Sequence, residues 1–333
     1  MRLLPDDCTT ASTTTAVAGR GAARPGADRS PSPTRFRQRR RATASHPLTT
    51  FLLALPMLFV FGCFAWWPLV RAGILSVQET NLVEAAQWTG LDNFRRVLDD
   101  PLLWTAVKNT AWFAFLALVF GYPLPIILAV LVGELRRGRG LYAGLAYLPV
   151  VIPPVASILL WRVFYDASPR GTFNTILGWI GLGPYPWFQS TTWAMPSIVL
   201  LATWSSAGAT VIIYLAALTA VNTELYEAAE VDGASLWRKV WHVTLPQLRT
   251  VLFVTLILQL IGTFQLFTEP YLLTQGGPAN ATMTVVLLLF RYAFGAGGGG
   301  DYGAAAALSL MLAAVLAVFT AVYFRLTKSW STK

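Results

Sequence analysis

Glu224-Leu225-Tyr226-Glu227-Ala228-Ala229-Glu230-Val231-Asp232-Gly233-Ala234 separates two apolar runs, at about 193–220 and 251–274, and Leu245-Pro246 follows twelve residues after Gly233. Each flanking run exceeds the roughly 18–20 apolar residues that cross a bilayer core of about 30 Å. The segment between them carries Glu224, Glu227, Glu230 and Asp232. Four carboxylates cannot lie in hydrocarbon, so the segment sits in water at one membrane face. A polar hinge between two spans predicts an all-α, polytopic membrane protein, because helices satisfy their own backbone groups in lipid.

The rest of the chain extends the pattern. Its 333 residues are 55% hydrophobic and 12% charged, with mean hydropathy +0.54; soluble domains carry about 25% charge. Six spans are expected at about 48–70, 104–132, 141–164, 193–220, 251–274 and 304–326. Trp66 and Trp67 close the first, where an interfacial aromatic belt belongs. Pro123 and Pro125 interrupt the second, and Pro149, Pro153 and Pro154 the third. These prolines read equally as packing kinks or as parts of an opening pathway. The domains expected are a tail, 1–45, a first span with its outer loop, 46–103, and a core, 104–328, with the polar loop at 224–246. The tail is rich in Ala, Thr, Ser, Pro and Arg and reads as disordered. No signal peptide is expected, because the first apolar run starts about 48 residues in and has span length. Cys8 and Cys63 are the two cysteines, and they support neither a disulfide nor a metal site.

Charge gives an orientation. With the amino terminus in the cytoplasm, the inner segments 1–47, 133–140, 221–250 and 325–333 hold 18 of the 25 basic residues. That asymmetry places both termini inside. The nine arginines of residues 1–47 stand just before a span, so they read as an orientation and lipid-surface signal, and no nucleic-acid partner is expected.

Within the polar segment, Asn222 or Thr223 can cap a helix whose first turn holds Glu224 and Glu227. Gly233 suggests a bend between two short helices. Leu236, Trp237, Val240 and Val243 would form one apolar stripe on the second. Two readings stay open on physics alone: an amphipathic helix lying on headgroups, or an acidic knob gripped by a protein with a basic-rimmed cleft.

Glu227-Ala228-Ala229-x-x-Asp232-Gly233-Ala234, then eleven residues to Pro246, resembles the EAA loop of ATP-binding-cassette importer permeases. The wider chain, from about residue 48 onward, is similar to the sugar-uptake branch, the MalF/UgpA-type subunits. Gly90-Leu91-Asp92-Asn93-Phe94, Leu148-Pro149-x-x-Ile152-Pro153-Pro154, Gly276-Gly277-Pro278-Ala279-Asn280-Ala281-Thr282 and Tyr302-Gly303-Ala304-Ala305 carry that similarity. The resemblance implies a bacterial cytoplasmic-membrane permease with a cytoplasmic coupling helix between spans four and five. It implies two ATPase subunits, a second homologous permease forming a heterodimer, and an extracellular solute-binding protein. In this scheme Glu227 and Asp232 make polar contacts with the ATPase groove. Ala228, Ala229 and Ala234 permit close approach, Gly233 bends, and Leu245-Pro246 lead into the membrane. Val240 departs from the family, which commonly has an aromatic residue there. No phosphate-binding G-x-x-x-x-G-K-[ST] motif occurs, so no cofactor is expected on this chain, and ATP-Mg belongs to the partner ATPases.

For the solute pathway the candidates are Gln259, Gln265 and Glu269. Gln265 and Glu269 stand four apart, on one helical face if the span is continuous, with Phe264, Phe267 and Tyr271 available to stack on sugar rings. The alternatives are that Glu269 reaches water near the outer end, or that a companion permease makes the solute contacts. Glycerol-phosphate esters, polyols or peptides are alternative cargoes. A membrane-embedded enzyme would need more than His46 and His242. A secondary transporter would show related halves and its own coupling residues.

Overall fold

The computed structural model describes residues 47–135, 137–295 and 300–331. The basic tail and Gly297 to Gly299 of the glycine run lie outside the described residues. The chain divides into two compact units, Met1–Leu55 and Pro56–Lys333. Of the first, the described part is the opening of helix α1 (Pro47–Phe61). The second holds α2 (Trp67–Ser76), the two-residue strands β1 (Gln78–Glu79) and β2 (Gln87–Trp88), α3 (Asp92–Asp99), α4 (Pro101–Leu116), α5 (Pro123–Gly133), α6 (Arg139–Val151), α7 (Pro154–Phe164), α8 (Thr172–Gly178) and α9 (Ala194–Thr219). Then come α10 (Thr223–Val231), α11 (Leu236–Lys239), α12 (Leu245–Phe264), α13 (Thr268–Leu273), α14 (Val285–Phe294) and α15 (Tyr302–Ser331).

Among the described residues, five stretches are long and apolar enough to cross a membrane: Thr50–Ser76, Pro101–Gly133, Ala194–Thr219, Leu236–Leu273 and Tyr302–Thr327. A sixth is counted if α6 and α7, bent by 96° to each other, form one span. The architecture is therefore the all-α, multi-pass membrane fold expected.

Proline decides where these helices bend, break or continue. Three spans contain a π turn with proline at the same offset behind it: Gly62–Trp66 before Pro68, Ala117–Gly121 before Pro123, and Val240–Thr244 before Pro246. A proline ring collides with the carbonyl four residues back and brings no N–H. Widening the preceding turn lets the residue before proline reach one carbonyl further. Trp67 donates to Gly62, Tyr122 to Ala117 (2.8 Å) and Leu245 to Val240. Each helix then continues as one span.

Where two prolines follow each other, the helix stops. Ile152 (ψ 129°) and Pro153 (ψ 134°) are extended, as the residue before a proline prefers. The expected third span at 141–164 is thus corrected from a kinked helix to two helices. The fifth span breaks as well, at Gln265–Phe267. In a continuous helix the Pro270 ring would meet the Leu266 carbonyl. Here that carbonyl is released and accepts the Thr284 hydroxyl at 2.8 Å.

Helix α9 is the central packing element. Against α6 it comes very close at Gly208, where a Cβ would lie 2.1 Å from the Ala146 carbonyl oxygen. Ala129, Val132, Val211, Tyr214 and Leu215 fill the space between α5 and α9 at one end. Phe113, Trp161, Tyr165, Met195, Ile198 and Leu201 form the core at the other. Helix α14 lies in what the sequence suggested was an outer loop. Thr284 caps it by accepting the Leu287 N–H at 3.3 Å, and the Thr110 hydroxyl accepts the Val285 N–H at 3.1 Å.

Candidate functional site: a polar cavity linked to a surface helical turn

Helix α12 turns Thr255, Leu258, Gln259, Gly262 and Thr263 to one side, and α9 turns Ala202, Ser206, Ala209, Thr210 and Ile213. Spacings of three, four and seven place each set on a single helical face. Between these faces and the start of α13 lies a cavity of about 460 Å³. Gln259, Gln265 and Glu269 all line it.

The reason they meet differs from the one expected. Gln265 ends α12 and is exposed, while Glu269 stands half-buried in the first turn of α13. They share a cavity across a helix break, not one helical face. Of the three expected aromatic residues, Phe267 lines the cavity. Phe264 instead packs on Phe319 (centroids 6.2 Å apart) and Tyr271 on Phe290 (5.0 Å). The π turn before Pro123 comes close to the cavity residue Gln259. A Cβ on Gly121 would sit 2.9 Å from Thr203 Oγ1 and 3.7 Å from Gln259 Nε2, so glycine leaves room for the amide.

The sequence reading missed Ser206, Thr210, Thr255 and Thr263 as cavity residues. Their signal was present: Ser206/Thr210 and Thr255/Gln259/Thr263 are polar positions four apart inside apolar runs. Ser206 donates its hydroxyl proton to Ala202 O (2.8 Å) and Thr263 to Leu260 O (2.7 Å), so these oxygens remain acceptors toward the cavity. The glutamine amides supply both donors and acceptors. Glu269 is the ionisable group of the lining, which contains neither Lys nor Arg.

The 224–246 segment lies where the helix leading into α12 begins. The Asn222 side chain caps α10 by accepting the Glu224 N–H at 3.0 Å. At its end, Ala234 N–H donates to Ala229 O (2.9 Å) and Gly233 N–H to Glu230 O (3.0 Å), with Gly233 at φ +70°. These paired bonds are the glycine helix stop known as the Schellman motif. Gly233 is therefore a C-terminal cap more than a hinge. Glu227, Ala228, Asp232 and Gly233 are exposed, and Ala229 and Ala234 are half-buried in that turn. Lys239 Nζ lies 2.9 Å from Glu230 Oε1, and the Tyr226 and Thr244 hydroxyls are 3.0 Å apart. Both contacts tie α10 to the next helix.

That second helix is not short. It runs from Leu236 through the π turn, past half-buried Leu245 and exposed Pro246, into α12. The expected apolar stripe does not form one buried face: Val240 is buried, whereas Leu236 and Trp237 are exposed. Trp237 and Trp241 form an edge-on pair with centroids 5.9 Å apart. From Leu236 to Gln259 is about 35 Å of helix at 1.5 Å per residue. Among the described residues no group of three or more His, Cys, Asp or Glu is placed to hold a metal.

Comparisons with known proteins agree with this geometry. The family model described as "Binding-protein-dependent transport system inner membrane component" matches residues 121–332. The arabinooligosaccharides transport system permease protein AraP of Halalkalibacterium halodurans is 31% identical over 243 residues, 72% of this chain and 76% of that one. The trehalose/maltose transport system permease protein MalF of Thermococcus litoralis is 32% identical over 236 residues, 71% of this chain and 80% of that one. A crystal structure of a bacterial ABC transporter involved in the import of the acidic polysaccharide alginate superposes with TM-score 0.73 and 27% identity, covering 85% of this chain and 96% of its counterpart. The chain belongs to the binding-protein-dependent transport system inner membrane component family, as a multi-pass ABC permease subunit and not an enzyme.

Proposed function

We propose that this chain forms the translocation pathway for a carbohydrate in an ATP-driven, binding-protein-dependent importer of a bacterial cytoplasmic membrane. One observation carries the reading: the helix that holds the cavity residue Gln259 starts at Leu236, within the exposed 224–246 turn, and runs without a break. Its first turns are tied to α10 by Lys239–Glu230 and Tyr226–Thr244. A push on one end of such a helix reaches the other. In this scheme α10 and its glycine cap lie in the cytoplasm and dock on one of two ATPase subunits, where ATP-Mg is hydrolysed. Glu227 and Asp232 meet the groove, and the small residues Ala228, Ala229, Gly233 and Ala234 permit close approach. Both termini are cytoplasmic, 104–328 is the transporting core, and a second homologous permease completes the pathway. An extracellular solute-binding protein delivers the cargo.

The cavity chemistry supports a sugar over a phosphate ester. Amides and hydroxyls match hydroxyl-rich solutes. An anionic cargo would meet Glu269 in a low-dielectric setting with no Lys or Arg in the lining to offset the repulsion. The named relatives that transport arabinooligosaccharides, trehalose and maltose point the same way. The test is uptake of labelled oligosaccharides into proteoliposomes containing all subunits. Uptake should require both ATP and the binding protein. Transport that persists with a hydrolysis-dead ATPase would sink the reading.

A further inference from the structure

A second cavity, of about 980 Å³, opens at the far end of α13. Arg162, Tyr165 and Asp166 reach it from the end of α7, Phe188 and Gln189 from the short helical turn Trp187–Gln189, and Thr274 from the residue after α13. Its aromatic wall is fixed in place. Tyr165 is 3% exposed, donates its hydroxyl to Ser197 O at 3.0 Å, and meets Phe188 edge-on with centroids 4.8 Å apart. Asp166 accepts the Ser168 N–H at 2.8 Å, which holds its carboxyl below the usual carboxylate range. Arg162 and Gln189 are exposed beside it.

This is the chemistry of a sugar site. Pyranose and furanose rings lay their C–H faces on aromatic rings, while planar amide, carboxylate and guanidinium groups bond the hydroxyls. The opposite charges of Arg162 and Asp166 leave no net preference for an ionic cargo. The location is equally specific. Glu269, in the first turn of α13, lines the inner cavity, and Leu273, at its end, lines this one. Four residues of helix span about 6 Å. The two cavities therefore adjoin a single helical turn flanked by breaks at Gln265–Phe267 and after Leu273.

We infer that this cavity is a second carbohydrate-binding site, reached before the inner one, where an uncharged sugar is held on Phe188 and Gln189, with the buried Tyr165 fixing the Phe188 ring from behind, until α13 yields. The inference rests on the carbohydrate-import reading, and its test separates the two.

The experiment uses the reconstituted transporter in a Cys8→Ser, Cys63→Ser background carrying Gln189→Cys, with Arg162→Cys as a second outer reporter and Gln265→Cys as an inner one. Modification by a charged, membrane-impermeant thiosulfonate is timed with maltose, lactose or arabinotriose present, and with a galacturonate trimer as the acidic probe. A neutral sugar at ten times its Kd should slow modification of both outer reporters about tenfold, the factor set by site occupancy. The inference is overturned if Gln265→Cys is protected and the outer reporters are not, with the import reading intact. It is overturned also if only the acidic trimer protects. Outer reporters that react in the isolated chain but are shielded in the sugar-free transporter would show that a protein surface covers the cavity, and would overturn it too. If none of the neutral sugars is taken up or protects any reporter, the import reading fails and takes the second site with it.

Discussion

Asn93 and Gly303 meet where α3 packs on α15. Asn93 Nδ2 donates to Ser76 O (3.0 Å) and Gln78 O (2.9 Å), and a Cβ on Gly303 would stand 2.6 Å from that nitrogen and 2.2 Å from Gln78 O. Two motifs far apart in sequence, around Gly90–Phe94 and Tyr302–Ala305, are thus one structural contact. Gly303→Ala should cost about 1–3 kcal/mol through overpacking. Asn93→Ala should cost about 1–3 kcal/mol by stranding two buried carbonyls. Because both act on the same contact, the double variant should lose less than the two costs added. Thermal unfolding of the detergent-solubilised protein reads all three.

Thr284 joins two elements: it caps α14 by receiving the Leu287 N–H, and it covers the carbonyl freed at the break in the fifth span. Thr284→Val keeps the shape but leaves Leu266 O buried without that donor. A loss of about 1–3 kcal/mol is expected, against little change for Thr284→Ser. Equal melting temperatures for the Val and Ser variants would mean that Leu266 O finds another partner.

Gly233 adopts φ +70° as a helix stop. Gly233→Asn, which tolerates that conformation, should retain most uptake. Gly233→Pro removes the N–H that bonds Glu230 O and should abolish uptake. Asp232→Arg reverses an exposed charge and should abolish ATP-driven uptake while membrane insertion stays normal. Transport surviving both Gly233→Pro and Asp232→Arg would remove this segment from any docking role.

In the inner cavity, Gln265→Ala removes hydrogen bonds of about 0.5–1.5 kcal/mol each, so kcat/KM for uptake should fall about 2–10-fold. Glu269→Gln keeps hydrogen-bonding capacity without the charge. Neutral-sugar uptake should persist, and exclusion of acidic oligosaccharides should relax. Competition between a neutral and an acidic sugar measures this; an unchanged preference assigns the selection to another subunit.

Spans, the glycine-stopped segment and the cavity residues Gln259, Gln265 and Glu269 were legible because hydropathy and intramembrane polarity are local signals. The break at Gln265–Phe267 was not. Pro270 announces that something must give, but whether a helix widens, bends or parts depends on who receives the freed carbonyl. At Pro123 and Pro246 the helix itself widens, the residue before the proline reaching Ala117 O or Val240 O through a π turn; at Pro270 the freed carbonyl goes to Thr284, eighteen residues from Leu266. Helix α14 escaped notice for a related reason: a ten-residue apolar helix that includes Arg291 is too short to span, and its Thr110 anchor is tertiary. Ser206 and Thr210 were readable as a stripe, but a stripe does not say whether it faces a cavity or a neighbour.

The π turn at Val240–Thr244 also keeps the two ends of its helix in phase. It holds one residue more than an α-helical turn yet closes about one revolution, so the extra residue is absorbed in the wider turn. Leu236–Lys239 and the cavity face of α12 are therefore related as on an ordinary helix one residue shorter. Removing one residue from Val240–Thr244, with Pro246→Ala to allow an ordinary turn, should leave the two faces nearly in register. Removing one from the regular α-helix beyond Pro246 should instead swing them apart by about 100°.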